Sequence, residues 1–486
     1  MKNFNYLCLS LVLVLFACTK EVGMQEVQTT NEIEVNTDGT TIDAQRAINS
    51  LFSMLNEIDS TDETRSGSVS YRIINQELVE MKDVVGVTRA DSNEEVCAGI
   101  DNNFYIVNFE DDKGRLSSAV LGASENLPPV LAIMNGGDLS SADFQKAWQK
   151  MQNETTANPL SASLVTDVEE NTAPLENIIS FLSLPPATPG DKPILTPGTG
   201  DDDDGTYTTS YIESYDWVTR EGVGPLMYSH YDQEAPFNDL YDINPNNNKR
   251  YYAGCGIVAL AQILTHNKLE RGFGPNIIDN TPLIWYRIGQ GALKQDIEYY
   301  KKLDKIETTK VCTTDECEEF AKLHRAIYNS IDTLTLRPDG AVGITKANAR
   351  NFMIDCGYLD VIDTCYSDDF IDDMLIDRRL PVYTRGSCSA CGGGHAWVID
   401  GKRRCVRFAN VVYVEYENNV EVNRYGVSQA TDDEDVFLHC NWGYAGARDG
   451  YFLSGVFSSH NAMTRSCGID DYSVYNYIIL YNLHNQ

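Results

Sequence analysis

The stretch RYYAGCGIVALAQILTHN, residues 250–267, places Cys255 between two glycines at the start of an apolar run. Within that run Ile257, Ala261 and Leu264 recur at helical spacing, which predicts a helix after the cysteine. A thiol at a helix N-terminus lies beside unpaired backbone N–H groups and the positive end of the helix dipole, which favours the thiolate. A packed core thiol, half of a disulfide and a metal ligand fit the same stretch, so Cys255 alone does not identify its chemistry.

The composition is that of a folded, acidic protein. The chain has 486 residues, of which 42% are hydrophobic and 10% aromatic, and this length suits two or three domains. Its 71 acidic and 38 basic residues leave a formal charge of −33. Binding to nucleic acid or to an anionic membrane surface needs a basic face, so the charge argues against both. Solubility is the simplest consequence of the acidity.

The N-terminus, MKNFNYLCLSLVLVLFACTKE, predicts export. Its apolar run at residues 6–17 is too short to span a bilayer but suits the core of a signal peptide. The LFAC at residues 15–18 resembles a bacterial lipobox, in which the cysteine, here Cys18, is lipidated and becomes the new N-terminus. An ordinary secretory signal with a chance cysteine is the alternative. We therefore expect a lipoprotein of the bacterial outer membrane, on its surface or periplasmic face, held only by a lipid anchor.

Export changes the interpretation of the cysteines, because disulfides persist outside the cytoplasm. Besides Cys97, ten cysteines lie from Cys255 onward, and if Cys255 is free the other nine are an odd number. At least one more is then free, or bonded to Cys97 or to another chain. The CSAC at residues 388–391 has zinc spacing, but the two cysteines in residues 312–317 lie further apart. Disulfides or free thiols are therefore the preferred interpretation, and no metal site is assigned.

Composition divides the chain into five parts. Proline, glycine and an aspartate run in LPPATPGDKPILTPGTGDDDDGTY form the clearest boundary, which we interpret as a solvated, cleavable linker and not as a calcium loop. Alternating strand patterns and then helical patterns precede it, and helical patterns followed by strand patterns come after it. The parts are a signal peptide at 1–17, a flexible tether at 18–65 with one helix near 44–58, a compact α+β domain at 66–185, the linker at 186–206 and a large domain at 207–486.

A histidine and an asparagine in the large domain suit a thiol nucleophile. His395, in CGGGHAWVIDG, follows three glycines and starts an apolar strand, where it can face a cleft as the base of a cysteine nucleophile. In HCNWGYAGARDGYF, Asn441 can accept the ring N–H of His395 and fix its tautomer, with Trp442 covering that bond. Gln233, in YDQEAPFND, can donate to an oxyanion. A core histidine and a surface glutamine are the plainer alternatives.

The four motifs, in this order, resemble those of the streptopain family (peptidase family C10), a branch of the papain-like cysteine peptidases. They read YDQEAPFN, GCGIVALAQIL, GGHAWVIDG and NWGYAGARDGYF, and the resemblance runs from about Tyr211 to the C-terminus. The stretch at 104–134 also resembles the family's pro-region. Three departures stand out: Tyr231 replaces the usual tryptophan, Gly256 begins a bulkier run than usual, and Tyr444 stands where a second tryptophan is usual.

The resemblance implies the α+β fold of a two-lobed papain-like peptidase, with a helical lobe and an antiparallel β lobe, preceded by a smaller α+β pro-domain. It implies that Cys255 is the nucleophile and His395 the general base and acid. Asn441 would orient the imidazole, and Trp442 would shield the bond between them. Gln233 and the backbone N–H of Cys255 would form the oxyanion hole. Catalysis of this kind needs no metal or cofactor.

The implied function is that of an exported zymogen of a cysteine endopeptidase acting on proteins or peptides. Its own pro-domain, residues 66–185, would act as an intramolecular inhibitor until the linker is cut, and the mature enzyme would then be released. A cell-wall peptide amidase is one alternative, although such enzymes commonly use a second histidine as the orienting group. A non-catalytic binding lipoprotein on a degenerate peptidase fold is another, and the intact set of four polar site residues counts against it.

Overall fold

The structure is a computed structural model of the chain, and the residues that it describes all lie in one compact unit, Thr40–Gln486. The described residues are 42–60, 69–85, 102–124, 127–156, 173–182, 206–302, 305–387, 394–454, 456 and 475–483. The expected signal peptide, the lipidation residue Cys18, the linker up to residue 205, and the cysteines at 97, 388, 391 and 467 lie outside these ranges.

Within the described ranges, the helices form a group of four ahead of the linker and a group of six after it. They are α1 Ala44–Ser60, α2 Met81–Val85, α3 Ser141–Thr156, α4 Ala173–Leu182, α5 Cys255–Arg271, α6 Trp285–Lys302, α7 Thr308–Val311, α8 Thr314–Asn329, α9 Lys346–Asp355 and α10 Asp368–Asp372, with a π-helical turn at Asp373–Asp377. Among the described residues, no helix is long and apolar enough to cross a membrane.

The strands are concentrated in the two regions where the sequence alternates. They are β1 Tyr71–Glu80, β2 Asn103–Asp111, β3 Leu116–Gly122, β4 Val130–Asn135, β5 Thr206–Val223, β6 Ile277–Ile278, β7 Thr281–Pro282, β8 Thr335–Leu336, β9 Val342–Gly343, β10 Leu359–Cys365, β11 Val382–Ser387, β12 Gly394–Glu417, β13 Val420–Asn441, β14 Gly450–Leu453 and β15 Tyr475–Asn482. This content confirms the α+β class, although the large domain begins with the long strand β5, ahead of the helices.

One antiparallel sheet joins the two sides of the linker. Its order is β1-β2-β3-β4-β14-β13-β12-β11-β15-β10, and β5 also pairs with β12. The junction is the pairing of β4 with β14, where Gly450 lies opposite Met134 and Phe452 lies opposite Ala132. Because β14 also pairs with β13, the strands before the linker extend the sheet that carries the histidine and asparagine motifs.

Helix α5 forms the centre of the helical part. Every residue from Gly256 to Asn267 is buried, as expected for a helix that is covered by neighbours on all sides. It packs against β12 on the sheet and against the helices α6 and α8. Gly272, in the left-handed conformation with φ 65°, ends it. The start of α5 is thereby held between the helices and the sheet.

Helix α1 agrees with the helix expected near residues 44–58, but it is packed and not part of a flexible tether. Leu51 and Met54 on its inner face have no exposed surface. Elsewhere on the same helix, Ser50 Oγ accepts a hydrogen bond from the backbone N–H of Tyr215 on β5 at 3.2 Å. Helix α1 is therefore part of the packed protein, because its apolar face is buried against β5 and the strands β2–β4.

We predict that Phe144→Ala lowers the free energy of unfolding by about 3–5 kcal/mol, because the ring is fully buried with its centroid 4.9 Å from that of Phe104. Ile74→Ala is the control, since Ile74 on β1 is 44% exposed and should lose about 0.5 kcal/mol or less. Chemical denaturation of the full chain measures both. Equal losses would contradict the packing described for α3.

Candidate active site

Cys255 is the first residue of α5, and the glycines on either side of it have no room for a side chain. Gly254 has φ 88°, and a Cβ there would lie 2.6 Å from the carbonyl oxygen of Val342. A Cβ on Gly256 would lie 2.6 Å from Cγ1 of Ile344. The helix start is therefore pressed against residues 342–344, and this contact fixes where the half-buried thiol emerges.

His395 lies near the start of β12, opposite Gly386 on β11. Its Nε2 is 2.9 Å from the carbonyl oxygen of Trp442, and its Nδ1 is 3.4 Å from the hydroxyl of Tyr444. The ring of Tyr444 stacks on the imidazole, with centroids 5.2 Å apart and planes within 7°. The imidazole is thus held at one edge by a backbone acceptor and on one face by an aromatic ring.

The thiol and the imidazole interact directly. Burial raises the pKa of Cys255, but the charge of His395 and a hydrogen bond to it outweigh burial, together with the N–H of Ala396 and the charge of Arg385. The net result is a pKa below the ordinary value of a cysteine. This environment stabilises the thiolate, which is the nucleophilic form of the side chain.

Asn441 does not take the position that the sequence predicts for it. Its Oδ1 accepts from Gln262 Nε2 at 2.7 Å and from the N–H of Gly443 at 3.2 Å, and its Nδ2 donates to the carbonyl of Ser229 at 3.0 Å. These contacts direct the amide toward α5, and the carbonyl of Trp442 becomes the acceptor for His395. The sequence predicted that His395 would hydrogen-bond to Asn441. In the structure, His395 bonds to the carbonyl of Trp442 instead, and Asn441 bonds to the fully buried Gln262 on α5.

Trp442 lies beside the imidazole, and a second aromatic residue lies closer to it. The indole of Trp442 is fully buried, with its centroid 6.1 Å from that of His395 and 4.9 Å from that of Trp397. Tyr444, at 5.2 Å and nearly parallel, makes the more direct contact. Tyr444 was visible in the sequence as a departure from the family motif, but its contact with the histidine was not.

Gln233 is brought to the helix start through its backbone. It is 6% exposed, and its carbonyl accepts the N–H of Ala253, two residues before Cys255, at 2.8 Å. This backbone hydrogen bond brings the motif of Gln233 next to the motif of Cys255, and the glutamine lies beside the loop that leads into α5.

The described cysteines are mostly free thiols. These are Cys255, Cys312, Cys317, Cys356, Cys405 and Cys440, whereas Cys365 is disulfide-bonded. Burial raises the pKa of Cys312 to about 12 and also raises that of Cys317. Within the ranges that the structure describes, no group of three or more His, Cys, Asp or Glu residues is placed to hold a metal ion.

A thiol at the start of a buried helix, hydrogen-bonded to an imidazole whose other edge is held by an acceptor, is the arrangement of a cysteine peptidase. Residues 231–452 match the sequence model of the Peptidase C10 family. The recognition made from the four motifs is thereby confirmed. No curated protein matches the chain.

The solved structures that are similar to the chain include two proteins from Prevotella intermedia. One is a fragment of prointerpain A from Prevotella intermedia, with 15% sequence identity, coverage of 77% of this chain and 94% of that one, and a TM-score of 0.42. The other is the active wild-type interpain A cysteine protease of the same organism, with 18% identity, coverage of 54% of this chain and 95% of that one, and a TM-score of 0.35. At these TM-scores neither likeness carries an argument about this chain.

We predict that iodoacetamide at pH 6 alkylates Cys255 faster than Cys317, because the pKa of Cys255 is lowered, that of Cys317 is raised, and the thiolate is the reactive form. Cys317 is a matched control within the chain, since it is also half-buried but has a raised pKa. Peptide mass spectrometry measures both rates. His395→Ala should remove the preference, and equal labelling in the wild-type protein would refute the thiolate environment.

Proposed function

We propose that the chain is the zymogen of a streptopain-like cysteine endopeptidase, with Cys255 as nucleophile and His395 as general base and acid. The observation that carries this proposal is the hydrogen-bonded pair of Cys255 and His395 at the start of α5, where the pKa of the thiol is lowered. The match of residues 231–452 to the Peptidase C10 family model supports the same reaction.

The reaction follows from the positions of the two groups. The Cys255 thiolate attacks the carbonyl carbon of the scissile peptide bond, and His395 then gives its proton to the leaving amine as the C–N bond breaks. The resulting thioester is hydrolysed by a water molecule, whose proton returns to His395 as its oxygen attacks the carbonyl carbon. Cleavage of the C–S bond releases the acid and restores the pair.

The oxyanion of each tetrahedral intermediate is assigned to the side-chain amide of Gln233 and the backbone N–H of Cys255. Two observations support this. Gln233 is tied to the residue two places before the nucleophile, and Cys255 stands at the first position of a helix, where backbone N–H groups point away from the helix body. Removing one such donor typically costs about 10²–10³ in kcat.

The tautomer of His395 is assigned from its backbone acceptor. If Nε2–H donates to the carbonyl of Trp442, Nδ1 is left to exchange a proton with the thiol. Trp442 then contributes through both its carbonyl and its buried ring, which keeps water from the bond. Asn441 contributes by holding the segment, since its amide joins Ser229, Gln262 and Gly443.

The part of the chain before the linker is assigned as an intramolecular inhibitor. Its strand β4 pairs with β14, which directly follows the loop that begins at Trp442. Its helix α1 reaches the first strand after the linker, where Glu57 Oε1 accepts the N–H of Thr219 at 2.7 Å. Two separate attachments to the peptidase part suit a pro-domain that stays bound until the linker is cut.

Export as a lipoprotein remains part of the proposal, and its support is the N-terminal sequence alone. Signal cleavage before Cys18 and lipidation of that residue would hold the zymogen at the outer membrane. Cutting the linker would separate the peptidase from the anchor and release it. Protein or peptide substrates are proposed for the released enzyme.

We predict that Cys255→Ala abolishes casein hydrolysis by purified, linker-cleaved protein, because no other thiol in the described structure has the paired imidazole. Cys317→Ala, which changes a thiol with a raised pKa, should keep the wild-type rate. A fluorescent casein assay measures both. Casein degradation by Cys255→Ala at the wild-type rate would end the assignment, and release of peptidoglycan fragments without protein cleavage would favour an amidase.

We predict that Gly450→Ala activates the uncut chain. An added Cβ would lie 2.2 Å from the carbonyl oxygen of Ile133 and 2.7 Å from Cα of Met134, so the pairing of β4 with β14 has to open. Casein hydrolysis by the uncut protein should rise severalfold over the wild type. Gly426→Ala is the matched control, because a Cβ there meets nothing within 4 Å. If the uncut Gly450→Ala chain hydrolyses casein no faster than the uncut wild type, this pairing has no inhibitory role.

A further inference from the structure

A buried carboxylate lies behind the segment that holds the histidine. Asp449 has no exposed surface, and its Oδ1 accepts the backbone N–H of Trp442 at 2.9 Å. The carbonyl of the same residue accepts from His395 at 2.9 Å. Asp449 therefore contacts the backbone of Trp442, and the carbonyl of Trp442 in turn contacts the imidazole of His395.

The backbone around Trp442 is held on both sides. On the N-terminal side its N–H is bound by the carboxylate of Asp449, and on the C-terminal side the N–H of Gly443 donates to Asn441 at 3.2 Å. Gly443 has φ 75°, a conformation that favours glycine, and a Cβ there would lie 2.9 Å from Val258. With both flanking peptides held, the direction of the Trp442 carbonyl is set by these contacts.

A buried histidine balances the charge of this carboxylate. His230 is 4% exposed, and its Nδ1 is 3.4 Å from Asp449 Oδ2 while its Nε2 is 3.5 Å from Asp296. Tyr299 stacks on it, with ring centroids 4.0 Å apart. Burial lowers the pKa of His230, but hydrogen bonds to Asp296 and Asp449 and their charges outweigh it and raise the pKa to about 9. His230 is thus a cation at neutral pH and compensates a carboxylate that would be costly to bury alone.

We propose that Asp449, with His230 as its counter-ion, is a positioning residue for the catalytic histidine and acts through the backbone of Trp442. This inference rests on the proposed function, in which His395 is the base. The carboxylate has the orienting role that the sequence predicted for Asn441, and it acts on His395 through the backbone of Trp442. A hydrogen bond to an ionised acceptor is roughly twice as strong as a neutral one, so the charge of Asp449 matters as well as its shape.

The structure offers a matched control. His439 and Asp400 form a second buried pair, with Nδ1 to Oδ1 at 2.7 Å, but the other oxygen of Asp400 accepts from the N–H of Met227 at 3.1 Å. That pair is anchored to a different segment, not to Trp442. A general loss from disturbing a buried His–Asp pair should appear in both pairs, whereas a loss through the orientation of His395 should appear only with His230 and Asp449.

The test measures kcat and KM on a peptide substrate with linker-cleaved protein, together with the pH profile of Cys255 alkylation. Asp449→Ala should lower kcat roughly 100-fold with KM nearly unchanged, since a small misplacement of a catalytic group costs about that much. Its alkylation profile should move to higher pH, because the imidazole no longer stabilises the thiolate. Asp449→Asn, which keeps an acceptor for Trp442, should recover about tenfold of the kcat loss, and His439→Gln should change neither readout.

Two results would overturn the inference. One is an Asp449→Ala protein with the wild-type kcat and alkylation profile. The other is an equal loss for His230→Gln and His439→Gln. If Asp449→Ala does not fold, Asp449→Asn and His230→Gln decide the matter, since each should shift the alkylation profile while the protein stays folded. Failure of the proposed function is seen separately, as casein hydrolysis by Cys255→Ala protein.

Discussion

The contact between the thiol of Cys255 and the imidazole of His395 is the interaction on which the arrangement of this protein depends. Each partner comes from a different part of the fold, the thiol from the first residue of a buried helix and the imidazole from the start of a long strand. Their contact holds the pKa of the thiol below its ordinary value against the opposing effect of burial. The helix needs glycine on both sides of the thiol, because residues 342–344 pack directly against that turn.

The imidazole is in turn held by backbone and by buried charge. Its acceptor is a peptide carbonyl, and the loop that carries this carbonyl is anchored by Asp449 and the amide of Asn441. The same loop leads into β14, onto which the strands before the linker are added. Asn135, at the end of β4, donates its backbone N–H to the carbonyl of Asp449 at 3.0 Å. The proposed pro-domain therefore contacts the segment that holds the imidazole of His395, and not only the outer edge of the sheet.

Much of the site was predictable because its signals are local. The glycine-flanked thiol, the glycine-rich approach to His395 and the helical spacing after Cys255 each lie within about a dozen residues. The contacts that were missed are long-range. Gln262 contacts Asn441 across 179 positions, and the stacking of Tyr444 on His395 joins a loop residue to the start of β12 across 49 positions. The helix near residues 44–58 was predicted from its pattern, whereas its burial against β5 depends on a strand more than a hundred residues away.

The sequence by itself determined the α+β class and the helix that starts at Cys255, because periodicity and turn residues act over short distances. The proposal that Cys255 and His395 form the reactive pair came from the order of four motifs and their resemblance to a family. Only the tertiary structure decided which acceptor orients His395. Asn441 and the carbonyl of Trp442 are adjacent in the chain, and both are chemically able to accept the ring N–H. The fully buried Gln262 decides between them, because its amide donates to Asn441 Oδ1 and His395 is left with the carbonyl of Trp442.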